Sequence, residues 1–165
     1  MGEARAGPAG RPSRTIGCMD ATAQSPTLPA RIREFIDRPL FASIATIDPD
    51  GGPRQAVIWY LVRGEELVIN SLEGRRWPAN LRRDARISFT VIDPKDGYNW
   101  VGLNGLVYAV VDDLPQAQAD IAAMARLYHA DDPDEAEDLI HNRFEKQRRV
   151  SFRIRIIGHH DHIED

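Results

Sequence analysis

The sequence predicts a mainly β fold: a six-stranded antiparallel barrel with helices packed outside it. Three observations predict it. Five short runs rich in β-branched and aromatic residues follow one another between residues 40 and 111. Most are joined by turns too short for a βαβ crossover, so neighbouring strands are expected to pair antiparallel, as an up-and-down meander. A last run over 150–156 alternates cleanly, with Val150, Phe152, Ile154 and Ile156 on one face and Ser151, Arg153 and Arg155 on the other.

In chain order, residues 1–27 carry almost no large apolar side chain and cannot offset the entropy of ordering; they are expected to form a disordered tail, with Cys18 in it, ahead of one domain over 28–165. Ile32, Phe35 and Ile36 make one stripe of a short helix that Pro39 ends. Strands are expected over 40–47, 55–62 and 67–70, separated by the turn residues of 48–53 and by Arg63-Gly64-Glu65. A fourth strand over 86–92 and a fifth over 99–111 flank the turn at 93–97; Gly102 and Gly105 within the fifth mark a bend of the barrel or a close approach of backbone. Residues 114–129 are helical by pattern. Asp132-Pro133 starts a second helix, with Ala136, Leu139, Ile140, Arg143 and Phe144 along one side and Lys146, Arg148 and Arg149 as its basic end.

Bulk composition bounds the function. The chain has 165 residues, 42% hydrophobic and 28% charged, with a formal net charge of −4. The mild acidity argues against general nucleic-acid binding. A single cysteine excludes an internal disulfide framework. No apolar run approaches the roughly 18 residues of a membrane helix, and no secretory signal opens the chain, so a cytoplasmic protein is expected.

Against that acidic background the stretch from Asn70 to Asp84 is basic: Arg75 and Arg76 precede a short helix and Arg82 and Arg83 lie in it. Gly74 permits a tight excursion of the backbone, and Pro78 suits the first turn of a helix. Helix N-termini stabilise anions, so the loop is a candidate phosphate site; a solvated basic turn is the alternative. Only Lys95 and Lys146 among the 21 basic residues are lysine, so an arginine-rich loop is partly a product of composition.

The order of elements now brings a family into view. Its carriers are Ala45-Thr46-Ile47-Asp48-Pro49-Asp50-Gly51 with Pro53, Val57-Ile58-Trp59-Tyr60, Asn80-Leu81-Arg82-Arg83-Asp84, Asp96-Gly97-Tyr98 and Arg148-Arg149-Val150. Together they resemble the split β-barrel flavin and deazaflavin proteins, the pyridoxamine 5′-phosphate oxidase-like family, over about residues 30 to 158, and most of all the branch that uses the deazaflavin coenzyme F420. The resemblance implies a homodimer with cofactor held between the two barrels, F420 as first choice and FMN as second. It places Ser71 and Arg75 at phosphate-contacting positions, with Arg76 beside them as a second contact. Val57, Ile58 and Trp59 lie on the strand that runs along the ring system, and Asn80 either braces the loop or joins the contact set. Trp77 stands where relatives carry lysine. Since tryptophan cannot replace an ammonium, Arg76 takes over the charge, or Trp77 stacks on a ring, or the ligand differs; a Trp77 that staples the short helix to the barrel is the structural alternative.

In such proteins the cofactor performs a two-electron or hydride transfer, so neither a catalytic triad nor a metal is expected. The implied activity is F420-dependent reduction of a small unsaturated molecule; an FMN-dependent oxidase or reductase, and a non-catalytic flavin, deazaflavin or haem carrier, are the rivals. Catalytic residues are not assigned. Tyr60, Tyr98 and Tyr108 are possible proton donors, each more simply structural. His159, His160, Asp161 and His162 fall in an expected frayed tail, where an adventitious metal contact is the simpler reading.

Overall fold

The computed structural model describes residues 27–164. The tail expected over 1–27, with Cys18, lies outside the described residues except for Thr27. In chain order the elements are α1 (Ala30–Ile36), β1 (Ala42–Ile47), β2 (Pro53–Ile58), β3 (Tyr60–Arg63), β4 (Glu66–Leu72), α2 (Arg76–Arg83), β5 (Arg86–Ile92), β6 (Trp100–Val111), α3 (Leu114–Tyr128), α4 (Pro133–Leu139) with a π-helical turn (Ile140–Phe144), and β7 (Arg149–His162).

One seven-stranded sheet has the order β2-β1-β5-β6-β7-β4-β3, with every pair antiparallel. β2 and β3 occupy its two ends, yet only Trp59 separates them in the chain. The sheet must therefore curl until its edges meet at that residue, and this is how the barrel forms. The single strand expected over 55–62 is two strands, and the count is seven rather than six. Alternation of burial stops at this corner, where Tyr60 and Leu61 are both buried, because the chain leaves one ladder for another. The meander expectation is corrected as well. The hairpins β1–β2 and β3–β4 exist, but β1 continues to β5 and β4 pairs with β7.

The barrel interior is filled by Ile44, Ile69, Phe89, Leu103, Phe152 and Ile154, each at most 1% exposed, with Ile32 and Ile36 of α1 plugging one end. Burying a side chain of this size contributes about 1.5–3 kcal/mol. A second cluster joins the outer face of β3 and β4 to the helices through Leu61, Val68, Ile121, Met124, Ala125, Ile140 and Phe144. Asp113 and Asp132 cap α3 and α4 by accepting from the N–H groups of Gln116 and Glu135.

β7 departs from expectation in two ways. Its second face is not solvated: Ser151 is fully buried and Arg153 pairs with the buried Asp120 of α3 at 3.2 Å, because α3 covers that side. The strand also runs on to His162, so the histidines pair with β6 (His160 with Gly102, His162 with Trp100) instead of fraying. Opposite Asn104/Gly105 the register skips Ile157, a bulge that bends β7 there, and a Cβ on Gly105 would sit 2.5 Å from Ile154 Cγ2. The second helix stops at Phe144, and Arg149, expected at its basic end, opens β7 instead.

Candidate functional site

Four pieces of backbone converge beside the Trp59 corner. β4 delivers Asn70. Beyond it, Gly74 at φ +88° turns the chain so that Arg75 becomes the N-cap of α2. The π-turn delivers Arg143 and Phe144, and the first residue of β7 is Arg149. These side chains, with Phe41, Val57, Ile58, Trp59 and two apolar residues of α3, line a cleft of about 220 Å³.

The polar end of the cleft is cationic. Arg149 is 7% exposed; its Nε donates to Asn70 Oδ1 at 2.8 Å and its Nη1 to Gln147 Oε1 at 2.7 Å. Asn70 is in turn held by donating to Ala117 O at 2.8 Å and Ser151 Oγ at 2.9 Å. The Arg149 guanidinium also lies 5.2 Å from the ring centroid of Phe144. Burial pushes its pKa down to about 10, and the nearby charges of Arg75 and Arg143 push in the same direction. Among the described residues no carboxylate pairs with Arg75, Arg143 or Arg149. Three positive charges of which one is buried, with only neutral partners, form a site that an anion would stabilise.

The other end is aromatic and apolar. Trp59 stacks on Tyr128 at 5.1 Å and 20°, and meets Phe144 edge-on at 6.3 Å. Tyr128 is fixed in turn, accepting from the N–H of Tyr60 at 3.2 Å and donating to Leu40 O at 2.7 Å. Its hydroxyl is thereby used up, and burial raises its pKa to about 12. Phe41 and Val57 stand at the rim, 60% and 71% exposed.

Of the residues singled out in the sequence, Val57, Ile58, Trp59 and Arg75 come together on this cleft. The other four do not line it. Ser71 is fully buried and donates to Leu72 O at 3.1 Å. Arg76 turns to Asp48, 3.2 Å away. Trp77 is 5% exposed and packs on Phe152 with ring centroids 5.9 Å apart, stapling α2 to the barrel core. Asn80 is buried, donating to Asp48 Oδ1 at 2.7 Å and Thr46 Oγ1 at 3.1 Å. Asp48, which also accepts from Arg54 Nε at 3.0 Å, is thus a hub tying the β1–β2 turn to α2. Its hydrogen bonds from Arg54 and Asn80 hold its pKa down at about 2.

Asn70, Arg143 and Arg149 were not singled out as site residues. Arg149 lies in the quoted Arg148-Arg149-Val150 motif, which was the available signal; nothing in the spacing brings Arg143 to the cleft, because that depends on the π-turn. The candidate tyrosines lie elsewhere. Tyr60 is buried and donates to Ile36 O at 2.8 Å, with burial raising its pKa. Tyr108 bonds the carboxylate of Glu66, and Tyr98 is 77% exposed. Among the described residues no group of three or more His, Cys, Asp or Glu could hold a metal, and no helix is long and apolar enough to cross a membrane.

The family model described as pyridoxamine 5′-phosphate oxidase matches residues 28–157. No curated protein matches the sequence. Among solved structures, one named F420 Reductase is 24% identical, with a TM-score of 0.66 over 81% of this chain and 98% of its own. The conserved hypothetical protein Rv2991 from Mycobacterium tuberculosis is 24% identical, with a TM-score of 0.65 over 86% and 88%. HutZ, the haem storage protein from Vibrio cholerae, is 18% identical, with a TM-score of 0.60 over 79% and 92%.

Proposed function

The chain belongs to the pyridoxamine 5′-phosphate oxidase family, and from that premise we propose that it is an oxidoreductase that uses F420 to reduce a small unsaturated organic substrate. One observation carries the proposal: an aromatic cleft whose far end holds three arginines and no carboxylate. A ligand with a flat ring system and an anionic tail matches both halves. The cleft residues fit such a cofactor. Arg149 and Arg75 would take its phosphate through charge-assisted hydrogen bonds, with Asn70 keeping Arg149 aimed. Trp59, locked by Tyr128, would flank the ring, and the strand residues Val57 and Ile58 would lie along it.

F420 in its reduced form would, when bound, supply the hydride. Phe41, Ile58 and Trp59 give the reacting end an apolar wall, which would exclude water once the exposed rim is covered. No tyrosine, histidine or carboxylic acid lines the cleft, so the proton that completes a reduction would come from solvent. The exposed rim residues Phe41 and Val57 support work as a homodimer, with the second copy covering the cofactor. The fold neighbour named F420 Reductase accords with this reading.

The missing proton donor favours a second reading, a carrier that holds a flavin, deazaflavin or haem without turnover. Titration with F420 and with FMN, followed by absorbance of the reduced cofactor on a panel of enones and quinones, separates the two. F420 binding with cofactor oxidation supports the enzyme, tight binding without turnover supports the carrier, and failure to bind either cofactor overturns both.

A further inference from the structure

Arg143 reaches the cleft from outside the barrel. After Leu139 the helix widens into the π-turn Ile140–Phe144, where the N–H of Glu145 donates to Ile140 O at 2.9 Å. Such turns are uncommon and recur at functional sites, because the widened turn re-aims the residues that follow. Here Phe144 is buried in the second cluster while the exposed Arg143 lines the cleft. The surrounding helical carboxylates are taken by other groups. Glu137 binds Arg126 at 2.6 Å, and Glu145 meets His141 at 3.1 Å. Asp138 accepts from Asn142 at 2.6 Å. Among the described residues Arg143 keeps only the Phe144 ring, 5.9 Å from its guanidinium.

The charge count follows. Arg75, Arg143 and Arg149 face one small cleft with no negative side chain in its lining. A single negative charge on a ligand would leave two cations uncompensated at one cleft, where the buried Arg149 and the exposed Arg75 and Arg143 repel one another. Resting on the reading of this cleft as the cofactor's anion site, we infer that Arg143 is a specificity-determining residue that selects ligands whose anionic end carries at least two negative charges. Those charges sit together on a phosphomonoester, as in FMN, or are shared between a phosphodiester and a neighbouring carboxylate, as in F420.

The test titrates the full chain, Arg143→Gln and the surface control Arg126→Gln with FMN, riboflavin, F420 and inorganic pyrophosphate, at low and high salt. Arg143→Gln is expected to bind the anionic probes about tenfold more weakly, to bind riboflavin unchanged, to lose part of the salt dependence, and to melt like wild type. Arg126→Gln, which loses its pair with Glu137 on the helices, is expected to bind every probe as wild type does. A loss confined to FMN among the two cofactors places the second charge on the monoester, and a loss confined to F420 places it on the carboxylate. If wild type binds neither cofactor yet holds pyrophosphate about tenfold more tightly than Arg143→Gln, the cofactor reading fails and the role of Arg143 stands. Equal affinity of wild type and Arg143→Gln for every anionic probe, or no binding of any probe by wild type, overturns the inference.

Discussion

The Nε of Arg149 lies 2.8 Å from Oδ1 of Asn70, across the β4–β7 ladder where Asn70 pairs with Ser151, and this contact fixes where the deepest positive charge of the cleft points. Asn70 is anchored on its other side by Ala117 O and Ser151 Oγ. Asn70→Ala should therefore release Arg149 and leave buried groups unpaired. The expected result is F420 or FMN affinity lowered about tenfold, or 1.4 kcal/mol, together with a stability loss of about 1–3 kcal/mol. Ligand titration and urea unfolding measure the two effects separately.

Arg75 and Arg76 are neighbours in sequence with different surroundings. Arg75 lines the cleft without an ion pair, whereas Arg76 pairs with Asp48. Arg75→Ala should weaken cofactor binding by about tenfold or more and leave the melting temperature unchanged. Arg76→Ala should leave the dissociation constant within about twofold of wild type, a change worth only a few tenths of a kcal/mol.

Trp77 occupies core rather than cleft. Trp77→Ala should destabilise the fold by about 3–5 kcal/mol, read from urea unfolding. Trp77→Phe keeps much of the contact with Phe152 and should bind cofactor as wild type does. A large affinity loss in a well-folded Trp77→Phe would show that this ring touches the ligand after all.

Asp48 gives a pH signature. Its folded-state pKa of about 2 lies below the ordinary 3.8, so its contribution to stability is present above about pH 4 and is lost as pH falls toward 2. Melting temperature should drop through that window in wild type and drop less steeply in Asp48→Asn, which should also melt lower at neutral pH. Asp84, held low by Arg86, and Asp112, held low by Arg82, leave a residual slope in the variant.

Much of the barrel was legible in the sequence because its strands obey a period of two. The alternation of β5 and β7, the glycine at the β4–α2 turn and the restart of a helix at Asp132-Pro133 all declare themselves locally. What was not legible depends on long-range pairing. Trp59 reads as the middle of one strand because its neighbours are apolar on both sides; only the sheet order shows that it joins two edges. Ser151 and Arg153 read as a solvated face because nothing in the spacing announces that α3 will cover it. The candidate site was half visible. Val57, Ile58 and Trp59 lie in a family motif and Arg75 in the basic loop, whereas Arg143 reaches the cleft only through a π-turn and Arg149, although in a motif, reaches it from a distant strand start. Trp77 stood out as a departure from the family pattern, and its burial against Phe152 gives that departure a packing role.

Arg149 is the deepest element of the arginine-lined cleft proposed to hold the anionic end of a flavin-like cofactor. The most direct measurement is a calorimetric titration of wild type and Arg149→Met with F420, since methionine preserves an apolar side chain at this buried position without its charge. Wild type is expected to bind saturably and the variant about a hundredfold more weakly, two factors of ten at about 1.4 kcal/mol each. Equal affinity in the two proteins would contradict that proposal.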